Sequence, residues 1–300
     1  MNEMPIVSVI VLSYNQQDFI DECLNSVLNQ NFPSLEIIVG DDNSTDKTVE
    51  MINGHINKNI ASIKLITHPE NVGITTNFND CLKYCRGRYI FLLGGDDVFL
   101  PGKLSSQVDF MEKNPDIAIS YHDVEVFLSE TNELLYFYNV KHKPFEGDAS
   151  TLIRNGTYCC GCSVAIKNIN VPNCDARIKY SSDWLWYIEI LKANLGTSIG
   201  KMPGVYSRYR RHSGNITSSL SANPLVGLHE VETTLNIIEN KYPEEKCSVM
   251  RARAERLFAY FLKSLVTKNF YLAIKLLSRA MTESIFAPWY FLRRIIGLGV

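Results

Sequence analysis

The sequence predicts an α/β fold with a mostly parallel central sheet and a helical appendage at its C-terminal end. Three observations predict it. Val7-Ser-Val-Ile-Val-Leu12 is a continuous apolar run rich in β-branched residues, the mark of a strand buried on both faces. Further runs of that kind alternate with segments of helical periodicity, as right-handed βαβ units require. From about Asn223 onward only helical periodicity remains.

In chain order, the first strand ends in Ser13-Tyr14-Asn15, and Phe19, Ile20, Cys23, Leu24, Val27 and Leu28 then recur at helical spacing. Leu35 to Val39 is a second strand, followed by the polar turn Gly40 to Asp46 and a short helix. Ile63 to Thr67 and Tyr89 to Leu93 are further strands, with a helix over Thr75 to Cys85 between them. Lys103 to Glu112 reads as a helix and Ile117 to Tyr121 as a strand. Val124 to Val140 reads as a hairpin turning at Thr131-Asn132. Trp184 to Ala193 is helical, Val205 to Arg210 a short strand, and Leu225 to Lys241, Lys246 to Thr267 and Phe270 to Met281 are helices. A boundary is expected near Ser218 to Pro224.

Bulk properties narrow the function. The 300 residues are 46% hydrophobic and 21% charged, enough to bury a sizeable core, and the formal charge of −2 argues against nucleic acid as a partner. Most of the eight cysteines lie in apolar runs and make no disulfide framework, as expected in a reducing compartment. Met1 to Pro5 lacks the pattern of a secretory signal, and no run reaches the ~18 apolar residues that span a bilayer. A cytoplasmic protein is expected.

Ligands of an open parallel sheet bind at the carboxyl ends of its strands. Those ends carry Ser13-Tyr14-Asn15, Asp41-Asp42-Asn43-Ser44 and Gly94-Gly95-Asp96-Asp97. No Gly-x-Gly-x-x-Gly follows the first strand and there is no Gly-Lys-Ser/Thr loop, so dinucleotide and P-loop chemistry lose their main support. Converging carboxylates repel a diphosphate unless a divalent cation binds both. The plainer alternative is that such acids cap helices and fill turns, as expected for Asp46. Cys159-Cys-Gly-Cys162 lacks a partner Cys/His pair at zinc-finger spacing and is expected to pack as a core strand.

In order and spacing, Val7 to Asn15, Glu36 to Asp46, Asn71-Val-Gly73, Gly87 to Pro101, Ser182-Asp183-Trp184 and Tyr209 to Asn215 resemble the family-2 glycosyltransferases. The resemblance covers residues 5 to 218 and implies a nucleotide-binding domain of the GT-A fold. It implies a domain over residues 1–220, with its donor-binding part about 1–120 and its acceptor part about 121–220, then an appendage over 221–300. By the same resemblance, Ser13, Tyr14, Asn15, Asp41, Asp42, Asn71, Asp96, Arg210 and Arg211 would bind the donor. Asp97, as the better ligand, Asp96 and His212 would hold Mn²⁺ or Mg²⁺. Many relatives carry an Asp where this chain has Gly94. Asp183 matches the catalytic base that deprotonates the acceptor hydroxyl; its structural alternative is a cap for the helix beginning at Trp184. Trp184 and Trp186 could stack on a sugar, although Trp within a helix is more often core.

The implied reaction is inverting transfer of a hexose, glucose or galactose, from a UDP-sugar to a sugar acceptor. That acceptor would be GlcNAc or GalNAc on undecaprenyl diphosphate, in O-antigen or related polysaccharide synthesis. The aromatic, dibasic segment Phe286 to Val300 suits peripheral contact with the cytoplasmic face of a bacterial inner membrane; packing on the body is the alternative. An inactive sugar-nucleotide-binding scaffold and a nucleotidyltransferase are the rival classes. The absence of a Gly-rich basic loop near the first strand counts against the second.

Overall fold

The structure, a computed structural model, describes residues 6–58, 62–142, 146–157, 159–215 and 224–296. The expected domain boundary therefore falls mostly on residues 216–223, outside the described ones, as do the last four residues of the tail.

The predicted alternation is present as β1 (Val7–Ser13), α1 (Ile20–Leu28), β2 (Leu35–Asp41), α2 (Thr48–Lys58), β3 (Ser62–Thr67), α3 (Ile74–Leu82) and β4 (Tyr89–Gly94). Next come β5 (Val98–Phe99), α4 (Lys103–Lys113), β6 (Ile117–Leu128), β7 (Leu134–Phe137), α5 (Tyr138–Lys141), α6 (Ala149–Asn155), β8 (Ala165–Lys167), α7 (Ser182–Ala193) and β9 (Ser198–Arg211). Among the described residues, the helices that follow are α8 (Pro224–Lys241), α9 (Lys246–Val266), α10 (Phe270–Glu283) and α11 (Ala287–Ile296).

All the strands share one sheet of order β3-β2-β1-β4-β8-β6-β9-β5, with β7 pairing on β6. β3, β2, β1 and β4 run parallel, so their carboxyl ends form one edge. The three-residue β8 is antiparallel to both β4 and β6 and joins that half to the parallel pair β6 and β9. β6 is one continuous strand through residues 122–123, where a break was expected. Its bulges against β9 accommodate buried His122 and half-buried Asp123 without ending the ladder. Asn132, at positive φ, sits at the turn toward β7 as expected. Cys160 and Cys162 are buried, but Gly161–Ser163 is a 3₁₀ turn, not the expected strand.

The appendage shares the core of the body. Leu235 and Ile238 of α8 and Val249 and Ala252 of α9 pack in one cluster with Trp184, Trp186, Tyr187 and Ile190 of α7. Both indoles are buried there, with Trp184 Nε1 donating to Leu152 O at 2.9 Å and Trp186 Nε1 to Pro172 O at 2.6 Å. They are core residues, and no sugar-stacking face remains on them. Beyond this core, α10, α11 and the turn between them leave large side chains in solvent, among them Tyr271 (81% exposed), Ile274 (72%), Phe286 (57%) and Trp289 (51%). Among the described residues no helix is long and apolar enough to cross a membrane.

The amino ends of the central strands are locked by Glu36. Its carboxylate accepts from Ser8 Oγ at 2.6 Å, Arg86 N at 2.6 Å and the Arg86 guanidinium at 2.9 and 3.0 Å. Glu36→Ala strands buried donors and is expected to lower stability by about 2 kcal/mol in urea unfolding.

Candidate active site

Four carboxylates stand at the carboxyl edge, two after β2 and two after β4, on either side of β1. Asp41 is fully buried and accepts from Ser13 Oγ at 3.0 Å, Ser44 N at 2.8 Å and Ser44 Oγ at 2.6 Å. Asn15, at φ 51°, ties the first loop to the second: its N–H donates to Ser44 Oγ at 2.8 Å and its Oδ1 accepts from Thr45 N at 2.8 Å. Asp42 accepts from Val72 N at 2.7 Å and Gly73 N at 2.9 Å, and Asn71 Nδ2 donates to Asp42 O at 3.3 Å. Gly73 holds φ +85°, a conformation a Cβ disfavours, and thereby turns both N–H groups toward that carboxylate. Tyr14, 48% exposed, stands at the rim of these loops.

Asp96 and Asp97 have opposite surroundings. Asp97 is 4% exposed and turned inward, its Oδ1 accepting from Arg210 N at 3.0 Å. Burial first, then the neighbouring Asp96, pushes its carboxyl well above the usual carboxylate range. Asp96 Oδ2 meets His212 Nε2 at 2.9 Å and Asn215 Nδ2 at 3.1 Å. Gly214 N–H points at His212 Nδ1 at 3.2 Å, which makes Nε2 the protonated nitrogen that donates to Asp96. A Cβ on Gly94 would lie 2.7 Å from Asp96 Oδ1, so the missing Asp leaves room for the Asp96 carboxylate.

Arg210 is built into the frame. Its guanidinium bonds Asp96 O at 2.8 Å, pairs with Glu22, and stacks between Phe19 and Phe127 at 4.9 and 4.7 Å. Arg211 ends β9, opposite Leu128.

Asp183 lies in the first turn of α7, which begins at Ser182, two residues earlier than a cap role for Asp183 requires, so Ser181 holds the cap position. Its Oδ1 accepts from Trp184 N at 2.9 Å, and desolvation raises its pKa to about 6. The loop before it is held from two directions. Thr75 Oγ1 of α3 donates to Ile178 O at 2.8 Å and meets Ser182 Oγ at 3.2 Å, joining the Asp42 side to the segment of Asp183. Glu230 of α8 accepts from Lys179 N at 2.9 Å and from Tyr180 N and Ser181 N at 3.0 Å. Sequence reasoning missed Glu230, for nothing in a helical face 47 positions onward signals three backbone acceptor contacts.

Residues 8–170 match the family model described as Glycosyl transferase family 2. The chain belongs to that family. An uncharacterized protein of Mycobacterium tuberculosis is 30% identical over 216 residues, which are 71% of this chain and 61% of that protein. The putative teichuronic acid biosynthesis glycosyltransferase TuaG of Bacillus subtilis is 38% identical over 110 residues, 37% of this chain and 43% of its own. Among solved structures, Staphylococcus aureus TarS 1–349 in complex with UDP-GlcNAc superposes with a TM-score of 0.67 at 17% identity, over 96% of this chain and 88% of that one. The mannosyltransferase PcManGT from Pyrobaculum calidifontis in complex with GDP-Man and Mn²⁺ gives 0.55 at 16%, over 96% and 88%. The fold is thus GT-A with a helical C-terminal region, as the family resemblance implied.

As a test of fit for a divalent cation, no group of three or more His, Cys, Asp or Glu side chains converges among the described residues. Asp96 Oδ2 and His212 Nε2 do face each other across 2.9 Å. Two protein ligands of this kind suit a cation that takes its other oxygens from phosphate and water. Asp97, expected as the better ligand, instead faces Arg210 N from inside.

The raised pKa of Asp183 has two consequences of opposite sign. A base at this position would work only when ionised, so activity that depends on it should rise with pH through about 6 and level off above it. Because the folded state holds this proton more tightly than the unfolded chain, Asp183 lends stability below the ordinary carboxylate range and loses it as pH climbs through about 6. Asp183→Asn should therefore melt higher than wild type at pH 8 and without that gain at pH 4. Glu230 adds negative charge near Asp183, so Glu230→Gln should move the activity midpoint to lower pH.

Proposed function

We propose that this protein is an inverting hexosyltransferase that uses a UDP-sugar and a carbohydrate acceptor. The observation that carries the reading is Asp183, a carboxylate in the first turn of α7 whose pKa is raised to about 6 and whose segment Thr75 ties to the Asp42 side. A base poised there can take the acceptor hydroxyl proton as that oxygen attacks the anomeric carbon opposite the diphosphate. The loops of Ser13 to Asn15, Asp41-Asp42 and Asn71 would form the nucleotide pocket. The UDP bound by TarS supports that class of donor.

Asp96 and His212 would hold Mn²⁺ or Mg²⁺, with Asp97 behind them fixing the end of β9. A cation there supplies charge neutralisation for the departing diphosphate. Holding it on Nε2 requires His212 to move its proton to Nδ1 and Gly214 N–H to release that nitrogen. Arg210 acts by positioning, since it fastens the His212 segment to Asp96 and Glu22. Arg211 stands closer to solvent and would be the phosphate contact of the pair.

The acceptor we propose is GlcNAc or GalNAc linked to a lipid diphosphate, in O-antigen or related surface-polysaccharide synthesis, at the cytoplasmic face of the inner membrane. The name of TuaG supports a cell-surface polymer. The exposed aromatic residues of α10 and α11 support peripheral membrane contact and extend the apolar surface beyond the tail itself.

With UDP-hexoses and a lipid-diphosphate sugar acceptor, EDTA should abolish transfer and Mn²⁺ or Mg²⁺ restore it; full activity in chelator would sink the cation assignment. Asp183→Asn should lower kcat by ~10²–10⁴-fold with UDP affinity retained, and near-wild-type turnover would move the base elsewhere. Removing residues 286–300 should abolish sedimentation with anionic vesicles; unchanged sedimentation would make the tail a packing element.

A further inference from the structure

Between the loop that leads to Asp183 and one face of α8 lies a cleft of about 350 Å³. Arg177 of the loop and Thr233, Asn236, Ile237, Asn240 and Lys241 of α8 line it. The helix residues recur at three- and four-residue intervals and so form one stripe along α8. Glu230 stands three residues before Thr233 on that stripe. Its carboxylate accepts from Lys179 N, Tyr180 N and Ser181 N, and Asp183 follows two residues after Ser181. The clasp on the loop is roughly 9 Å along α8 from Asn236, at about 1.5 Å per residue.

The charges of the cleft are already matched. Arg177 pairs with Asp175 at 2.6 Å and Lys241 with Glu189 at 2.6 Å, so an anion finds no unpaired cation among the lining residues. The polar groups left open are neutral. Among the described residues, the Thr233 hydroxyl and the Asn240 carboxamide make no hydrogen bond. Asn236 Oδ1 accepts from Arg253 Nη2 at 3.1 Å, and Glu239 holds that guanidinium at 2.7 Å, which leaves Asn236 Nδ2 to donate elsewhere. Asn236 and Asn240 are both exposed, and buried Ile237 between them gives an apolar floor. Neutral groups that donate and accept, set over an apolar floor, fit the hydroxyls and C–H face of a sugar ring.

We propose that this cleft holds a sugar residue of the acceptor other than the one whose hydroxyl is attacked, so that the acceptor is an oligosaccharide. This deepens the reading of the protein as a glycosyltransferase and rests on it for the word acceptor. The GlcNAc or GalNAc that receives the hexose is then one residue of a longer saccharide. Glu230 fixes three consecutive backbone N–H groups between the cleft and Asp183, which holds the two subsites at a set spacing. The same loop exposes Tyr180, whose ring offers a face to the saccharide between them.

The test uses the full chain, UDP-hexoses and a panel of synthetic mono-, di-, tri- and tetrasaccharides ending in GlcNAc or GalNAc. kcat/KM should rise about tenfold or more once the acceptor is long enough to fill the cleft, as a few added hydrogen bonds supply. Two variants should bring the ratio of long-acceptor to single-sugar kcat/KM back toward one. The first joins Thr233→Ala to Asn240→Ala and removes the open polar groups; the second, Asn240→Trp, fills the cleft. UDP affinity reports the folding of each, and Ala is a favourable residue at an exposed helix position. A kcat/KM independent of acceptor length, or a length advantage that survives in both variants, overturns the proposal. If no panel member turns over, the glycosyltransferase reading fails for this acceptor class, and saturation-transfer NMR of the same panel with UDP present decides the cleft alone. Saccharide binding lost in Asn240→Trp sustains it. Absent binding, or binding equal in wild type and Asn240→Trp, overturns it.

Discussion

Burying carboxylates side by side is the constraint around which the carboxyl edge of the sheet is shaped. Asp41, Asp42 and Asp97 are each at most 5% exposed, and each needs donors that the parallel strands cannot give. Asp41 takes them from Ser13 and Ser44, Asp42 from Val72 and Gly73, and Asp97 from Arg210 N. Every loop at this edge is therefore folded toward a carboxylate. The loops are placed by charge satisfaction as much as by apolar packing.

That constraint also orders the second half of the chain. β9 reaches Asp97 through the backbone of Arg210, and the segment after it delivers His212 and Asn215 to Asp96. α8 delivers Glu230 to the loop before Asp183, and Thr75 links that loop to the Asp42 side. The Asp42 loop, the Asp96–His212 pair and the segment before Asp183 are thereby held by a set of long-range hydrogen bonds. The appendage belongs to this set and does more than pack against it.

The parallel half of the sheet was legible because buried parallel strands need largely apolar runs, and Val7 to Leu12 and Tyr89 to Leu93 are such runs. The edge acids were legible by their position after those runs. Their roles were less so. Whether a carboxylate faces inward or outward depends on partners far along the chain: Asp97 turns in to meet Arg210, 113 residues on, while Asp96 turns to His212. β8 was missed because three residues carry no period, and the Cys159 run was misread because a 3₁₀ turn can bury cysteines as well as a strand does.

The central claim is that Asp183 and the diphosphate act on opposite faces of the anomeric carbon. The anomeric configuration of the product, read by NMR from a reaction with an α-linked UDP-hexose, tests it most directly. In-line attack from the Asp183 side inverts that centre, so a β-linked product is expected. An α-linked product would contradict the account, since retention cannot arise from a single displacement with the base and leaving group so placed.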